Sequence, residues 1–194
     1  MPDDPRSRVF VDRNLPVPPP PGLMTLVQVI GDRGLGKSTQ LEHWRSSAPG
    51  PYHYIVRNPY RSRWQKPPVA NLVYGDEIDR MPSPRRLRWF QGLAFARATV
   101  VIGTHTDLGR QARLVGFDVL THHLVGFDQP ALHGFLERRL AEVAIGRDHI
   151  RFTRQQSAEI HERTGGRPRA VEVEAHRVLA DMVMTSTSTE AAVS

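Results

Sequence analysis

The residues with the plainest chemical consequence are Gly31-Asp32-Arg33-Gly34-Leu35-Gly36-Lys37-Ser38-Thr39. Their spacing matches G-x-x-x-x-G-K-[ST], a loop whose glycines let successive backbone N–H groups turn toward one phosphate. All of Gly31 to Thr39 are therefore candidate nucleotide contacts. A lysine in this place reaches the β- and γ-phosphates, and the following hydroxyl can ligate Mg²⁺, which assigns those tasks to Lys37 and Ser38. A second group, Asp76-Glu77-Ile78-Asp79, closes the apolar run Leu72-Val73-Tyr74. Asp76 can hold the cation through its water shell, and Glu77 can polarise an attacking water as general base. A strand running into an acidic turn would use similar letters, but the loop upstream favours the nucleotide reading.

These groups need elements to hold them. Leu26-Val27-Gln28-Val29-Ile30 reads as a buried strand, and Ser38 to Trp44 as the first turns of a helix whose N-terminus adds partial positive charge to the loop. Pro49-Gly50-Pro51 breaks the chain, and Tyr52 to Val56 reads as a second strand. The third strand, Asn71 to Asp76, is expected beside the loop strand, with Gly75 standing where an apolar residue would be usual. Ser83 and Pro84 read as the cap and first residue of a helix to about Arg97. Arg85, Arg86 and Arg88 crowd its first turns, which suits a nearby anion or a solvated basic face.

Thr99 to Gly103 is a fourth strand, ending at Thr104-His105-Thr106-Asp107. A polar tip there can hydrogen-bond a γ-phosphate or the attacking water; Thr104 and His105 are both eligible. Val119 to Val125 gives a fifth strand, whose His122 and His123 read as structural or exposed rather than as metal ligands. Asp128 and Pro130 open a helix striped by Leu132, Phe135, Leu136, Leu140 and Val143. Thr153 to Gln156 reads as a capping box for a helix closed by Gly165-Gly166, and Pro168 starts a last helix through roughly Met182 with Arg169 in its first turn.

With 194 residues, 39% of them hydrophobic, the chain can bury a core as one domain, or one with a small appendage. The 0 cysteines exclude a disulfide framework and thiolate metal sites. No apolar run is long enough to span a bilayer. Met1-Pro2-Asp3-Asp4-Pro5 lacks a signal-peptide pattern, so a cytoplasmic protein without membrane partners is expected. The net charge of +6 favours an anionic partner, nucleic acid first, although Lys37 and Lys66 are the only lysines and codon bias would also enrich arginine. Between Arg57 and Pro68, Tyr60, Arg61, Arg63, Trp64 and Lys66 suit phosphate contact with base stacking, or a surface loop with a packed tryptophan.

Taken together, these motifs resemble an AAA+ ATPase or the related STAND nucleotide-binding modules. Gly31 to Thr39 resembles that class's loop, and Asp76-Glu77-Ile78-Asp79 its Walker B end. Thr104-His105 is similar to sensor 1, and Thr164-Gly165-Gly166-Arg167-Pro168-Arg169 to sensor 2, which makes Arg169 the candidate lid contact to the γ-phosphate. Arg110 or Arg113 could serve as an arginine finger in trans. The resemblance implies an α/β P-loop NTPase, with a five-stranded parallel sheet flanked by helices and followed by a small helical lid. The expected organisation is a Pro-rich tail or strap over 1–22, an ATPase core over 23–128, a lid over 129–184 and a disordered tail over 185–194. It further implies ATP and Mg²⁺ as cofactors, with catalytic tasks on Lys37, Glu77, Thr104 or His105, and Arg169. The expected function is that of a helper ATPase linked to double-stranded DNA, with a protein partner and a homo-oligomeric state. The alternative is a STAND-like switch with little turnover.

Overall fold

A strand that is apolar along nearly its whole length needs cover on both faces, and β1 (Thr25–Ile30) is buried at every position. It pairs in parallel with β4 (Thr99–Thr104) on one side and β5 (Asp118–His123) on the other. β4 pairs with β3 (Leu72–Asp76), and β3 with the short edge strand β2 (Tyr52–Tyr54). The expected five-stranded parallel sheet thus has the order β2-β3-β4-β1-β5. The acidic strand β3 is not beside the loop strand, as the sequence suggested, because β4 lies between them. The computed structural model describes residues 13, 15–56, 67, 69–143 and 151–191. The apolar run Val9-Phe10-Val11 in the expected tail or strap, and Tyr60 to Lys66, lie outside the described residues.

Side chains alternate across a strand, and that alternation sorts the core into two layers. Val27, Val29, Leu72, Tyr74 and Val101 meet Leu41 and Trp44 of α1 (Lys37–Ser47). Leu26, Val73, Val100 and Ile102 meet Trp89, Phe90 and Leu93 of α2 (Ser83–Phe95) and Ala112 of α3 (Gly109–Arg113). The indole N–H of Trp89 donates to His53 Nδ1 at 3.1 Å, so the largest core side chain leaves no orphaned donor. At residue 75 a Cβ would come within 2.8 Å of Ile78, which folds back over β3 from the 3-10 turn Ile78–Arg80. That contact explains a glycine where an apolar side chain was expected.

Two readings at α2 change. Pro82, not Ser83, stands at the N-cap, and the Ser83 hydroxyl accepts from Gln111 Nε2 at 2.6 Å instead of capping the helix. Arg86 is spent inside the fold. It donates to Gln111 Oε1 at 2.6 Å and to the carbonyls of Asp79 and Met81 at 3.1 and 3.3 Å, closing the 3-10 turn. The described part of the N-terminal segment is a strap. Thr99 Oγ1 donates to the Pro20 carbonyl at 2.7 Å, Gly22 N donates to the Asn71 carbonyl at 3.0 Å, and Arg13 donates to the Leu35 carbonyl at 3.2 Å.

The chain falls into two compact units, Met1–Leu124 and Val125–Ser194. The second contains α4 (Gln129–Val143), α5 (Arg154–Thr164) and α6 (Pro168–Ala191). The capping box forms as expected, with Thr153 Oγ1 accepting from Gln156 N at 3.1 Å and Gln156 Oε1 accepting from Thr153 N at 2.9 Å. Gly165 ends α5 in the left-handed region. A Cβ at Gly166 would overlap the Phe127 carbonyl, so the entry to α4 can pass against this turn only at glycine. α6 runs to Ala191 rather than ending near Met182, which corrects the expectation of a disordered tail over 185–191. No helix among the described residues is long and apolar enough to cross a membrane.

One buried polar residue joins strand to loop in the first unit. Gln28 has no exposed surface; its Nε2 donates to Asp107 Oδ1 at 2.6 Å and Thr121 Oγ1 at 2.8 Å, and its Oε1 accepts from Leu108 N at 3.0 Å. Leucine would fill the volume and leave the Leu108 N–H buried without an acceptor. Gln28→Leu is therefore expected to lower unfolding free energy by about 2 kcal/mol, read from urea denaturation midpoints at unchanged m-value.

Candidate functional site

The loop between β1 and α1 needs left-handed backbone at two places, and glycine supplies both: Gly34 at φ 85° and Gly36 at φ 90°. Gly36 is the N-cap of α1 and brings no side-chain cap, so the first-turn N–H donors face the loop's concavity. Lys37 lies across this loop, only 5% exposed, donating from Nζ to the carbonyls of Gly31 at 2.7 Å and Asp32 at 3.1 Å. Burial pulls the ammonium below its ordinary value, and the carboxylates of Glu77, Asp76, Asp79 and Asp32 oppose that shift.

Asp76 ends β3 with 1% exposure. Its Oδ2 accepts from Ser38 Oγ at 2.6 Å and from the Tyr52 hydroxyl at 2.9 Å. Its Oδ1 is buried and meets no donor. A Cβ at Gly103 would come within 2.7 Å of that oxygen and 3.4 Å of Lys37 Cβ. The intervening strand β4 therefore has to carry glycine here for β3 and α1 to meet above it. A buried carboxylate oxygen without a donor, beside a serine hydroxyl, is a hard-oxygen set that suits Mg²⁺; the residues fit the cation. Burial, then the neighbouring Asp76 carboxylate, push the Tyr52 hydroxyl well above its ordinary value, so it stays protonated and donating.

Glu77 sits in the left-handed region at φ 59°, a conformation that is costly for a residue with a Cβ. Its N–H donates to the Gly103 carbonyl at 2.9 Å. Its Oε2 lies 3.0 Å from Arg80 Nη2 and 3.1 Å from His105 Nε2. The other His105 nitrogen, Nδ1, is 3.4 Å from Lys37 Nζ. Asp79 accepts the His105 backbone N–H on Oδ2 at 3.2 Å, while its Oδ1 is buried without a partner.

The two candidates at the β4 tip part here. Thr104 falls on the face shared with Ile102 and Val100, and its hydroxyl donates to the Thr106 carbonyl at 2.9 Å. His105 leaves the strand and bridges Glu77 and Lys37. The structure thus gathers Lys37, Ser38, Asp76, Glu77 and His105, and turns Thr104 away. Arg110 and Arg113 are exposed on α3, and Arg169 is exposed in the first turn of α6 in the second unit. Half-buried His122 rests its ring 6.5 Å from that of Trp44, while His123 is exposed. Sequence reasoning missed Tyr52, Asp79 and Arg80, whose roles arise from contacts across strands and turns; only the acidic repeat of Asp76 and Asp79 carried a trace of them.

No protein-family model and no curated protein sequence matches the chain. Solved structures do match in fold. A variant of RuvB from Thermotoga maritima superposes with a TM-score of 0.61 at 17% identity, covering 84% of this chain and 57% of that one. The RuvB Holliday junction branch migration motor of the same organism superposes with a TM-score of 0.59 at 16% identity, covering 84% of this chain and 56% of that one. The chain spans a little over half the length of the RuvB chains it matches. At this identity the likeness carries the fold alone: the chain shares with these RuvB structures a P-loop fold, a parallel sheet with flanking helices and a helical C-terminal region.

Proposed function

We propose that this protein binds ATP with Mg²⁺ and hydrolyses it, as a DNA-linked helper ATPase that recruits or regulates a protein partner. The observation that carries the reading is the Asp76 carboxylate, buried beside the phosphate loop with Oδ1 lacking a donor and Oδ2 tied to Ser38. Mg²⁺ held by Ser38 and Asp76 would neutralise phosphate charge. Lys37 leaves the loop carbonyls to meet the β- and γ-phosphates. Glu77 takes the proton of a water as its oxygen attacks the γ-phosphorus, and the bond to the β-phosphate oxygen breaks to give ADP and phosphate.

His105, in contact with both Lys37 and Glu77, is the residue assigned to the γ-phosphate or the water. Arg169 reports the γ-phosphate to the helical unit, and Arg110 or Arg113 acts on a neighbouring copy in a homo-oligomer. Three features support the DNA link. The net charge is +6, Arg85 and Arg88 are exposed on α2, and RuvB is a Holliday junction motor. Arg86 is withdrawn from that surface by its turn-closing bonds.

A second reading has its own support. Arg80 and His105 both occupy Glu77 Oε2, so the proposed base is engaged within the protein. A STAND-like switch would hold it there and turn over little.

ATP turnover with and without duplex DNA, at low and moderate salt, separates the readings. The ATPase reading expects Glu77→Gln to lower kcat by about 100-fold or more, with DNA raising wild-type turnover at low salt. Tight binding without turnover, unchanged by Glu77→Gln, would establish the switch; no DNA affinity at low salt would sink the DNA link. A second expectation concerns β4. Gly103→Ala presses its methyl on Asp76 Oδ1, and should cut the thermal stabilisation given by MgADP more than it lowers the ligand-free midpoint, read by differential scanning fluorimetry.

A further inference from the structure

The Asp76 carboxylate is held from two sides, and only one of them belongs to the phosphate-loop pattern. Ser38 donates from α1; the Tyr52 hydroxyl donates from β2, the far edge of the sheet. Tyr52 stands opposite Tyr74 in the β2–β3 register, with Tyr54 opposite Asp76. The Tyr52 ring thus leans along the strand direction on the face of Tyr74 and Asp76, and its hydroxyl ends on the carboxylate two residues further on. The ring is itself fixed. Arg45 lies over it at 5.5 Å, and Arg45 is tethered to Glu42 at 3.2 Å and to the Gly50 carbonyl at 3.0 Å.

The two donors share one oxygen, which decides how the carboxylate faces. With Ser38 and Tyr52 both on Oδ2, Oδ1 turns toward Gly103 and Lys37, where no protein donor meets it. A serine hydroxyl that gives a lone pair to a cation keeps its proton, so Ser38 and Tyr52 can both go on holding Oδ2 while Oδ1 stays free for the cation. We infer that Tyr52 is a positioning residue for the divalent cation: its hydroxyl fixes Asp76 so that Oδ1 faces the metal–nucleotide site. This inference rests on the nucleotide reading above and adds a residue from β2 to it.

Mn²⁺ and ADP are the probes. Mn²⁺ binding to the full chain saturated with ADP, followed by electron paramagnetic resonance, reads the site without turnover. Tyr52→Phe keeps the ring and its contact with Arg45 and deletes the hydroxyl; Tyr52→Leu deletes both. The expected result is Mn²⁺ affinity about 10-fold weaker in Tyr52→Phe, a similar loss in Tyr52→Leu, and ADP affinity in EDTA unchanged in Tyr52→Phe. Wild-type affinity in Tyr52→Phe with loss only in Tyr52→Leu would overturn the inference, because the ring and not the hydroxyl would then matter. Equal loss of ADP affinity in EDTA would overturn it too, as a general packing effect. Wild-type protein that binds no Mn²⁺·ADP would instead overturn the nucleotide reading, and the inference with it.

Discussion

A carboxylate buried to 1% exposure is the constraint on which the first unit depends. Removing such a charge from water costs several kcal/mol unless hydrogen bonds and an opposite charge compensate. Asp76 has a donor from α1, a donor from β2 and the Lys37 ammonium in its field. These groups come from three parts of the chain, α1, β2 and β3, and parallel strands that run the same way bring them to one edge of the sheet. Gly103 completes the condition. β4 separates β3 from the loop strand, and any side chain at residue 103 would stand between the carboxylate and Lys37.

Around that charge the connecting segments are fixed by polar contacts as well as by the apolar packing of Ile78 and Leu108. Gln28 fastens the turn after β4 from within the sheet, and Asp79 takes the His105 backbone N–H. Arg86 closes the turn after β3. Glu77 holds a left-handed backbone that costs about 1–3 kcal/mol, and the Gly103 carbonyl, Arg80 and His105 together over-determine its place. A strained carboxylate with two side-chain partners, proposed above as the base, is a group poised between engagement and release. Both an ATPase and a switch need that property, and they differ in which state prevails once nucleotide is bound.

Much of this was legible in the letters. The first strand, the loop spacing, the capping box at Thr153 and the glycine stop at Gly165 are local signals that formed where the sequence put them, while β2 stops at Tyr54 rather than Val56 and β5 at His123 rather than Val125. The errors have local causes as well. Ser83 has the type of a cap, but Gln111 from another helix binds its hydroxyl. Arg86 has the type of a surface cation, but two turn carbonyls lie within its reach. The α6 pattern fades near Met182, yet the helix continues to Ala191, since nothing in that polar stretch breaks it.

The sequence by itself determined the chemistry on offer: a phosphate loop, a hydroxyl and lysine at its end, and two adjacent acids after a strand. Those depend on spacing within a few residues, which the covalent chain enforces. Tertiary structure decided which groups meet. It chose His105 over Thr104, because alternation along β4 turns Thr104 to the opposite face. It brought Tyr52 to Asp76, placed β4 between the loop strand and the acidic strand, and required glycine at 103 and 75. Strand order and cross-strand register are set by burial of the whole sheet, and no window of neighbouring residues encodes them.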